Sequence, residues 1–420
     1  MKRTKAFTEV WWKKFLEHSG DLTKTTLWKD VLGDDRIKLA EYSDEVLRIA
    51  ITENASDSIF RFWLNGKSVS EKSELIPLME GNQKPAVEAM LSNASVDTIG
   101  LILNFCENLH EEFKRFIGQR VRPLLKAHGM PTHGIEISLF AGNYSKTPIG
   151  FHLDQRGHRV IHLQVGPGVK EMFLIPKHVF EVDLFPITKG EKSFHDVEAL
   201  IPYAQKYVIE PGDVYFMPHG FYHVGRNLGN STSITIWLEN MQAEGLAEKL
   251  VLPIARRIFS GEGLNLVQND KSSANSTSFF LHSLKEMVGG KRILDWTVED
   301  LIRDAIQDYK FRLHSNNFFV PGYPIKFKST DVLTSSKIQW QGDYELFTKK
   351  NGELRDFYHR GHKFSFYENP AYSKAISEMS KGKPVAVKKI LKLFSSHWED
   401  EVTLEFLKEF VKRDIIAVVR

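Results

Sequence analysis

Cysteine is almost missing from this 420-residue chain, in which Cys106 is the single thiol. One cysteine cannot form an intramolecular disulfide or a thiolate zinc cluster, and such sparse usage is typical of a reducing, cytoplasmic compartment. Cys106 follows the apolar run that begins at Leu101. We therefore interpret it as a small buried residue rather than as a nucleophile.

Excess charge and long apolar runs are lacking too. Lys and Arg number 56, Asp and Glu number 53, and the formal net charge is +3. This balance does not provide the basic surface that is typical of nucleic-acid-binding domains. No stretch approaches the roughly 20 apolar residues of a transmembrane helix, so no membrane partner is expected. The length and the hydrophobic fraction of 42% indicate a globular protein of two or three domains.

The hydrophobic pattern divides the chain into four regions. Residues 1–130 show mostly helical spacing, and residues 131–242 show short β runs separated by turns, as in a sandwich or barrel. Residues 243–290 predict a helix followed by a Gly-, Ser- and Asn-rich linker. Residues 291–420 mix helices and strands in a winged-helix-like order. The expected fold class is therefore α+β, with a β-rich core between helical regions.

Two segments of the first region carry more specific expectations. The segment from Thr98 to Leu125 has apolar residues at three- and four-residue spacing and predicts helix. The run from Val46 to Ile51 resembles a short strand. Such short strand-like runs indicate that this region is mixed rather than a pure helical bundle.

A candidate metal site begins at His152 and Asp154. Residues two apart on a strand point to the same face, so these side chains project together while Phe151 and Leu153 face the other side. One imidazole and one carboxylate are two legs of a 2-His-1-carboxylate triad. Such a triad leaves coordination positions open and suits non-haem Fe(II).

The third ligand is predicted from a second segment. It matches the second cupin motif, with matching residues at Gly212, Pro218, Gly220, His223 and Asn227. Turn and bend residues at the first three positions aim His223 inward at the barrel mouth. The predicted metal ligands, which are also the catalytic residues, are therefore His152, Asp154 and His223.

These motifs resemble the JmjC and cupin-4 hydroxylases, a group that includes ribosomal-protein and asparaginyl hydroxylases. Storage and isomerase cupins carry His-x-His with a downstream Glu, whereas this chain has His152-x-Asp154. The resemblance covers about Ile135 to Asn240. It implies a double-stranded β-helix (cupin or jelly-roll) core that uses Fe(II) and 2-oxoglutarate.

The same resemblance implies residues that hold 2-oxoglutarate. A Lys or Arg beyond the turn after His-x-Asp binds the distal carboxylate in that group, and Lys170 matches this position. His158 is a candidate for holding 2-oxoglutarate or substrate, with a plain polar loop residue as the alternative. Tyr144 and Thr235 are candidate donors to 2-oxoglutarate. His162 is interpreted as a packed or hydrogen-bonded strand residue, and His219 is excluded from the metal site.

The expected activity is hydroxylation of an amino-acid side chain in a protein or ribosomal peptide, with release of succinate and CO₂. N-demethylation is the same chemistry and stays open. The order of regions resembles ribosomal oxygenases, in which the helices after the core dimerise, so 243–290 is a candidate dimerisation segment. Two alternatives remain: a metal cupin enzyme that does not use 2-oxoglutarate, and a ligand-sensing regulator. A carboxylate-binding base inside the barrel would argue against the first.

Overall fold

The computed structural model describes residues 6–52, 59–154, 158–258, 297–320 and 331–419. The predicted linker within 243–290 and the predicted boundary at 290/291 lie outside these residues. The chain divides into two compact units. The first comprises Met1–Asn240 with Phe318–Tyr323, and the second comprises Met241–Asn317 with Pro324–Arg420.

The first unit is built around a sheet of 11 strands whose pairings are antiparallel. Its order is β1-β10-β7-β11-β5-β4-β2-β3, with β6 and β8 attached through β11 and β9 attached to β7. The predicted α+β class is confirmed, and the large antiparallel sheet is consistent with a jelly roll of the cupin type. The strands are β1 Thr26–Trp28, β2 Phe60–Leu64, β3 Lys67–Val69, β4 Ile99–Leu103, β5 Gly134–Gly142, β6 Phe151–Leu153, β7 Arg159–Pro176, β8 Ser193–Phe194, β9 Gln205–Ile209, β10 Val214–Met217 and β11 Phe221–Glu239.

Helices cover part of this sheet. Helix α1 begins at a Thr8 cap, whose hydroxyl accepts a hydrogen bond from the Trp11 amide, and it buries Trp11, Trp12 and Phe15 in the main core. The helices of this unit are α1 Glu9–His18, α2 Asp35–Thr52, α3 Ile76–Met79, α4 Ala86–Leu91, α5 Glu111–His128, α6 Phe185–Thr188 and α7 Val197–Leu200.

Two local expectations in this region were wrong. The run from Val46 to Ile51 lies inside helix α2, whose buried residues recur at three- and four-residue spacing from Leu39 onward. The segment from Thr98 to Leu125 is not one helix. Its first part forms the fully buried strand β4, and helix α5 starts only at Glu111, after the His110 cap. A buried strand without polar alternation has no period-2 signal to distinguish it from a helix.

Two strands run through the length of the sheet and position the site. Strands β7 and β11 pair from Phe221↔Pro176 to Leu238↔Arg159, with register shifts near Leu228–Ser233. The first part of β7 also pairs with β10 and its second part with β9. Likewise, β11 pairs with β6 near its start and with β5 near its end. Residues from four further strands therefore meet around the same two long strands.

The second unit has its own aromatic core. Phe357 lies in van der Waals range of a ring cluster that includes Tyr372, Phe406 and Phe410, all fully or almost fully buried. Two three-stranded sheets have the orders β16-β12-β17 and β13-β14-β15. The elements are α8 Ala243–Ile258, α9 Val298–His314, β12 Lys337–Trp340, β13 Phe347–Asn351, β14 Leu354–His359, β15 His362–Tyr367, α10 Tyr372–Met379, β16 Val385–Ala386, α11 Val387–Phe394, α12 Asp400–Lys412 and β17 Ile416–Val419.

None of the helices in the described ranges is long and apolar enough to cross a membrane.

Candidate metal and co-substrate site

The predicted ligands His152, Asp154 and His223 meet at one point. His152 on β6 pairs directly with His223 on β11, and their ring centroids are 4.4 Å apart. Asp154 follows two residues after His152, just beyond the end of β6. Its Oδ1 lies 3.8 Å from His152 Nε2, and its Oδ2 lies 3.8 Å from His223 Nε2. One atom from each side chain falls within 4.8 Å of the others, which makes a candidate metal site.

The opposite faces of β6 and β11 hold this pair in place. Phe151 and Tyr222, each adjacent in sequence to a triad histidine, are buried and pack against Phe180. The ring centroids of Phe180 and Tyr222 are 3.7 Å apart in a stacked arrangement. Alternation along both strands thus separates an apolar anchoring face from the face that carries the ligands.

Backbone hydrogen bonds at Nδ1 of each triad imidazole leave its Nε2 available to a metal. Nδ1 of His152 lies 2.9 Å from the Gly150 carbonyl oxygen, and Nδ1 of His223 lies 3.3 Å from that of Phe221. A carbonyl oxygen can only accept, so each Nδ1 carries the proton and each Nε2 presents a lone pair. Burial lowers the pKa of both His152 and His223 to about 4, so both rings are neutral near pH 7.

The carboxylate of Asp154 is the part of the site that most requires a cation. Its Oδ2 is buried and has no hydrogen-bond partner among the described residues. Burial raises the pKa of Asp154, and the opposing effect of the neighbouring histidines does not offset it. Two neutral imidazoles and one unsatisfied carboxylate oxygen fit a divalent ion such as Fe(II).

A cavity of about 560 Å³ surrounds the triad and extends to Lys170. Alternate residues of β5, β7 and β11 line it, as expected for side chains on one face of a sheet. The lining includes Phe105, Glu136, Ser138, Phe140, Thr147, His158, His162, Met172, Gly225, Trp237 and Glu239.

Lys170 is a buried cation in the wall of this cavity. It is 3% exposed, and its Nζ donates to Ser233 Oγ at 3.0 Å. No described carboxylate pairs with it, and burial lowers its pKa to about 7. An uncompensated ammonium in a closed wall fits a ligand that brings its own carboxylate.

Of the three remaining predicted site residues, one lines the cavity and two do not. His158 lines the cavity, and its Nε2 is 2.7 Å from Glu239 Oε1. Thr235 is fully buried opposite His162, and its hydroxyl donates to the Ser138 carbonyl at 3.1 Å. Tyr144 is buried beside Asn227 and, like Thr235, is not among the side chains that line the cavity.

Several functional candidates were not predicted from the sequence. His162 lines the cavity, and neither of its ring nitrogens has a described hydrogen-bond partner. Ser233 holds the Lys170 ammonium. Glu136 and Ser138 are polar positions two apart in an apolar strand, and this alternation was a signal that they face a cavity.

Comparison with known proteins adds structural likeness but no sequence match. No protein-family model matches the chain, and no curated protein matches it. Among solved structures, the ribosomal oxygenase YcfD from Escherichia coli with cobalt and 2-oxoglutarate is similar at 16% identity and a TM-score of 0.49, over 97% of this chain and 98% of that chain. YcfD with cobalt and succinic acid gives 16% identity and a TM-score of 0.48 over the same shares. A further E. coli ycfD structure gives 17% and 0.47, again over 97% and 98%.

Proposed function

We propose that this protein is an Fe(II)- and 2-oxoglutarate-dependent oxygenase with a double-stranded β-helix core. The observation that carries the proposal is one cavity that contains both an open triad of His152, Asp154 and His223 and the uncompensated ammonium of Lys170. A metal cupin enzyme without a 2-oxo acid would not need a buried cation beside its metal. The position of Lys170 therefore favours the use of 2-oxoglutarate over that alternative.

Three side chains would hold the metal, each with a defined lone pair. His152 and His223 would bind through Nε2, and Asp154 would bind through its buried carboxylate. Bound Fe(II) would supply a redox-active ion with open positions for a chelating 2-oxo acid and O₂. Overall, one oxygen atom of O₂ enters the substrate C–H bond and the other enters succinate, with loss of CO₂.

The other cavity residues would orient the co-substrate and exclude water. Lys170 would donate to the distal carboxylate of 2-oxoglutarate, while Ser233 keeps the ammonium directed into the cavity. Phe140 lies beneath this ammonium, with its ring centroid 4.8 Å from Nζ. Apolar walls from Phe140 and Met172 limit hydration around this charge pair. His158, Tyr144 and Thr235 remain proposed co-substrate contacts, of which only His158 lines the cavity.

The substrate proposal rests on the order of units along the chain. An oxygenase core is followed by a separate α+β unit with its own core, and we propose that this second unit grips a protein or ribosomal peptide whose side chain is hydroxylated. We also propose a winged-helix-like character for 291–420, a homodimer through 243–290, and a cytoplasmic location. Deletion of the second unit should then impair substrate binding more than 2-oxoglutarate decarboxylation without substrate.

The decisive experiment needs no substrate. Fe(II) and then 2-oxoglutarate are added to the metal-free protein without oxygen, and the visible charge-transfer band of the chelate is recorded. We expect the band in the unmodified protein and in His178→Ala, because His178 is an exposed residue outside the triad. We expect no band in His152→Ala. Metal binding without a band in the unmodified protein would favour a cupin enzyme that does not use 2-oxoglutarate.

A further inference from the structure

A second group of possible ligands, none of which belongs to the triad, lines the same cavity. His133, Glu136 and Glu239 each present one ligand atom within 4.8 Å of the others. All three are largely buried, with side-chain exposures of 21%, 14% and 14%. None of them belongs to the proposed iron site or to the Lys170 region.

The sheet fixes these three side chains at one end of two paired strands. Glu136 pairs with Trp237 across β5 and β11, so Glu239, two residues further along, is its diagonal neighbour on the same face. The His133 amide donates to the Glu239 carbonyl oxygen at 3.0 Å, which continues the ladder beyond β5. Ligands held by a strand ladder need little reorganisation to bind an ion.

The distances around His133 differ from those of a strong ion pair. His133 Nε2 lies 3.4 Å from Glu136 Oε1 and 3.3 Å from Glu239 Oε2, whereas charge-assisted hydrogen bonds are about 2.7–2.9 Å long. Zinc bonds to nitrogen and oxygen of about 2.0–2.2 Å place tetrahedral neighbours about 3.3–3.6 Å apart. These two separations therefore match two edges of a coordination tetrahedron.

A fourth residue, His158, holds the Glu239 carboxylate in this arrangement. Its Nε2 lies 2.7 Å from Glu239 Oε1, the carboxylate oxygen that does not face His133. Its ring lies edge-on to Trp237, with centroids 5.3 Å apart. A histidine that hydrogen-bonds the second oxygen of a carboxylate ligand fixes the orientation of the first, as is common around protein metal sites.

We infer that His133, Glu136 and Glu239 form a second divalent-cation site of the zinc type, supported by His158 and with its fourth position directed into the cavity. Two carboxylates balance the charge of the ion, and a water or a substrate atom completes the tetrahedron. The site is chemically distinct from the triad, because it has one imidazole and two carboxylates. The inference concerns residues outside the triad and stands independently of the proposed oxygenase activity.

The test counts ions in the full-length protein. Metal-free protein is equilibrated with Zn²⁺, and bound zinc is measured by elemental analysis and titration calorimetry. Zinc also suits a 2-His-1-carboxylate triad, so we expect two ions per chain in the unmodified protein. We expect one ion in His223→Ala, where only the second site remains, and one in Glu136→Gln, where only the triad remains. Glu17→Gln, a change at an exposed glutamate of α1, should still bind two.

Cobalt(II) binding provides a second measurement, which does not depend on enzymatic activity. Four-coordinate cobalt absorbs visible light much more strongly than six-coordinate cobalt, so the intense band should persist in His223→Ala and disappear when Glu136→Gln or Glu239→Gln is added to that variant. Circular dichroism confirms that each variant is folded, and the two carboxylate variants serve as mutual checks. One ion per chain that is lost in His223→Ala, or two ions retained in Glu136→Gln, would overturn the inference. Loss of the 2-oxoglutarate band with zinc counts as expected would instead reject only the oxygenase proposal.

Discussion

Replacing Lys170 with methionine should weaken 2-oxoglutarate binding and yet not destabilise the unliganded protein. Methionine keeps an unbranched apolar chain and removes only the ammonium group. Lys170 is 3% exposed, and its Nζ has one hydrogen bond, to Ser233 at 3.0 Å, but no described carboxylate partner. The charge is therefore a cost to the folded protein until a carboxylate binds.

The expected changes in affinity and stability follow from the Lys170 ammonium with and without a bound carboxylate. A hydrogen bond to a charged group contributes about 1.5–3 kcal/mol, so Lys170→Met should weaken 2-oxoglutarate binding by about 10- to 150-fold. Burial lowers the pKa of Lys170 from 10.5 to about 7. The protonated form is thus disfavoured on folding. The resulting penalty is fully present below pH 7 and fades as the pH rises from 7 towards 10.5, and it amounts to on the order of 5 kcal/mol.

Two measurements check this reasoning. Titration of 2-oxoglutarate into the Fe(II) protein gives the loss of affinity, and urea unfolding of the unliganded protein at pH 6 and pH 9 gives stability. We expect Lys170→Met to be more stable than the unmodified protein at pH 6, with a smaller difference at pH 9. Lys67→Met, a change at an exposed lysine of β3, is the matched control. Unchanged 2-oxoglutarate affinity, or a variant less stable at pH 6, would refute the argument.

Four further outcomes are expected. The affinity of the unmodified protein for 2-oxoglutarate should fall as the pH rises above 7, because Lys170 loses its proton there; calorimetry across pH 6–9 measures this. Gly225→Ala should weaken 2-oxoglutarate binding, since its Cβ would lie 3.1 Å from Thr147 Oγ1 and 3.2 Å from Lys170 Cε; the chelate band should form only at higher 2-oxoglutarate. Asp213→Ala should cost roughly 3 kcal/mol of unfolding free energy in urea, because this buried carboxylate accepts two backbone amides and a lysine. Phe357→Ala should cost about 3–5 kcal/mol and Phe357→Leu clearly less, as thermal unfolding would report.

The triad could be predicted because its information is local. His152 and Asp154 are two residues apart on one strand, and the spacing of glycine and proline around His223 defines the bend that precedes it. Strand alternation then determines the direction of each side chain without any knowledge of the partner strand. The assignment of the metal-binding role to these three residues stays a prediction until ion binding is measured.

The residues around the triad are brought together by the register in which the strands pair, and the sequence does not determine this register. Ser233 reaches Lys170 only because β7 and β11 pair with a shift between Thr232 and Ser233. Glu136 and Glu239 are about a hundred residues apart in sequence and become neighbours only through the β5–β11 ladder. A slip of one residue would turn either side chain to the opposite face, and no motif excludes such a slip.

The cavity carries opposite charges at its two ends, and these charges would orient a dianionic co-substrate as it enters. Lys170 provides a positive charge at one end, and Glu136 and Glu239 provide carboxylates at the other, with the triad lining the same cavity. A 2-oxo diacid would be repelled from the acidic end, so its distal carboxylate would be directed to Lys170 and its 2-oxo acid group left for the proposed metal. In the absence of a second ion, the two charged ends would therefore favour a single orientation of the co-substrate.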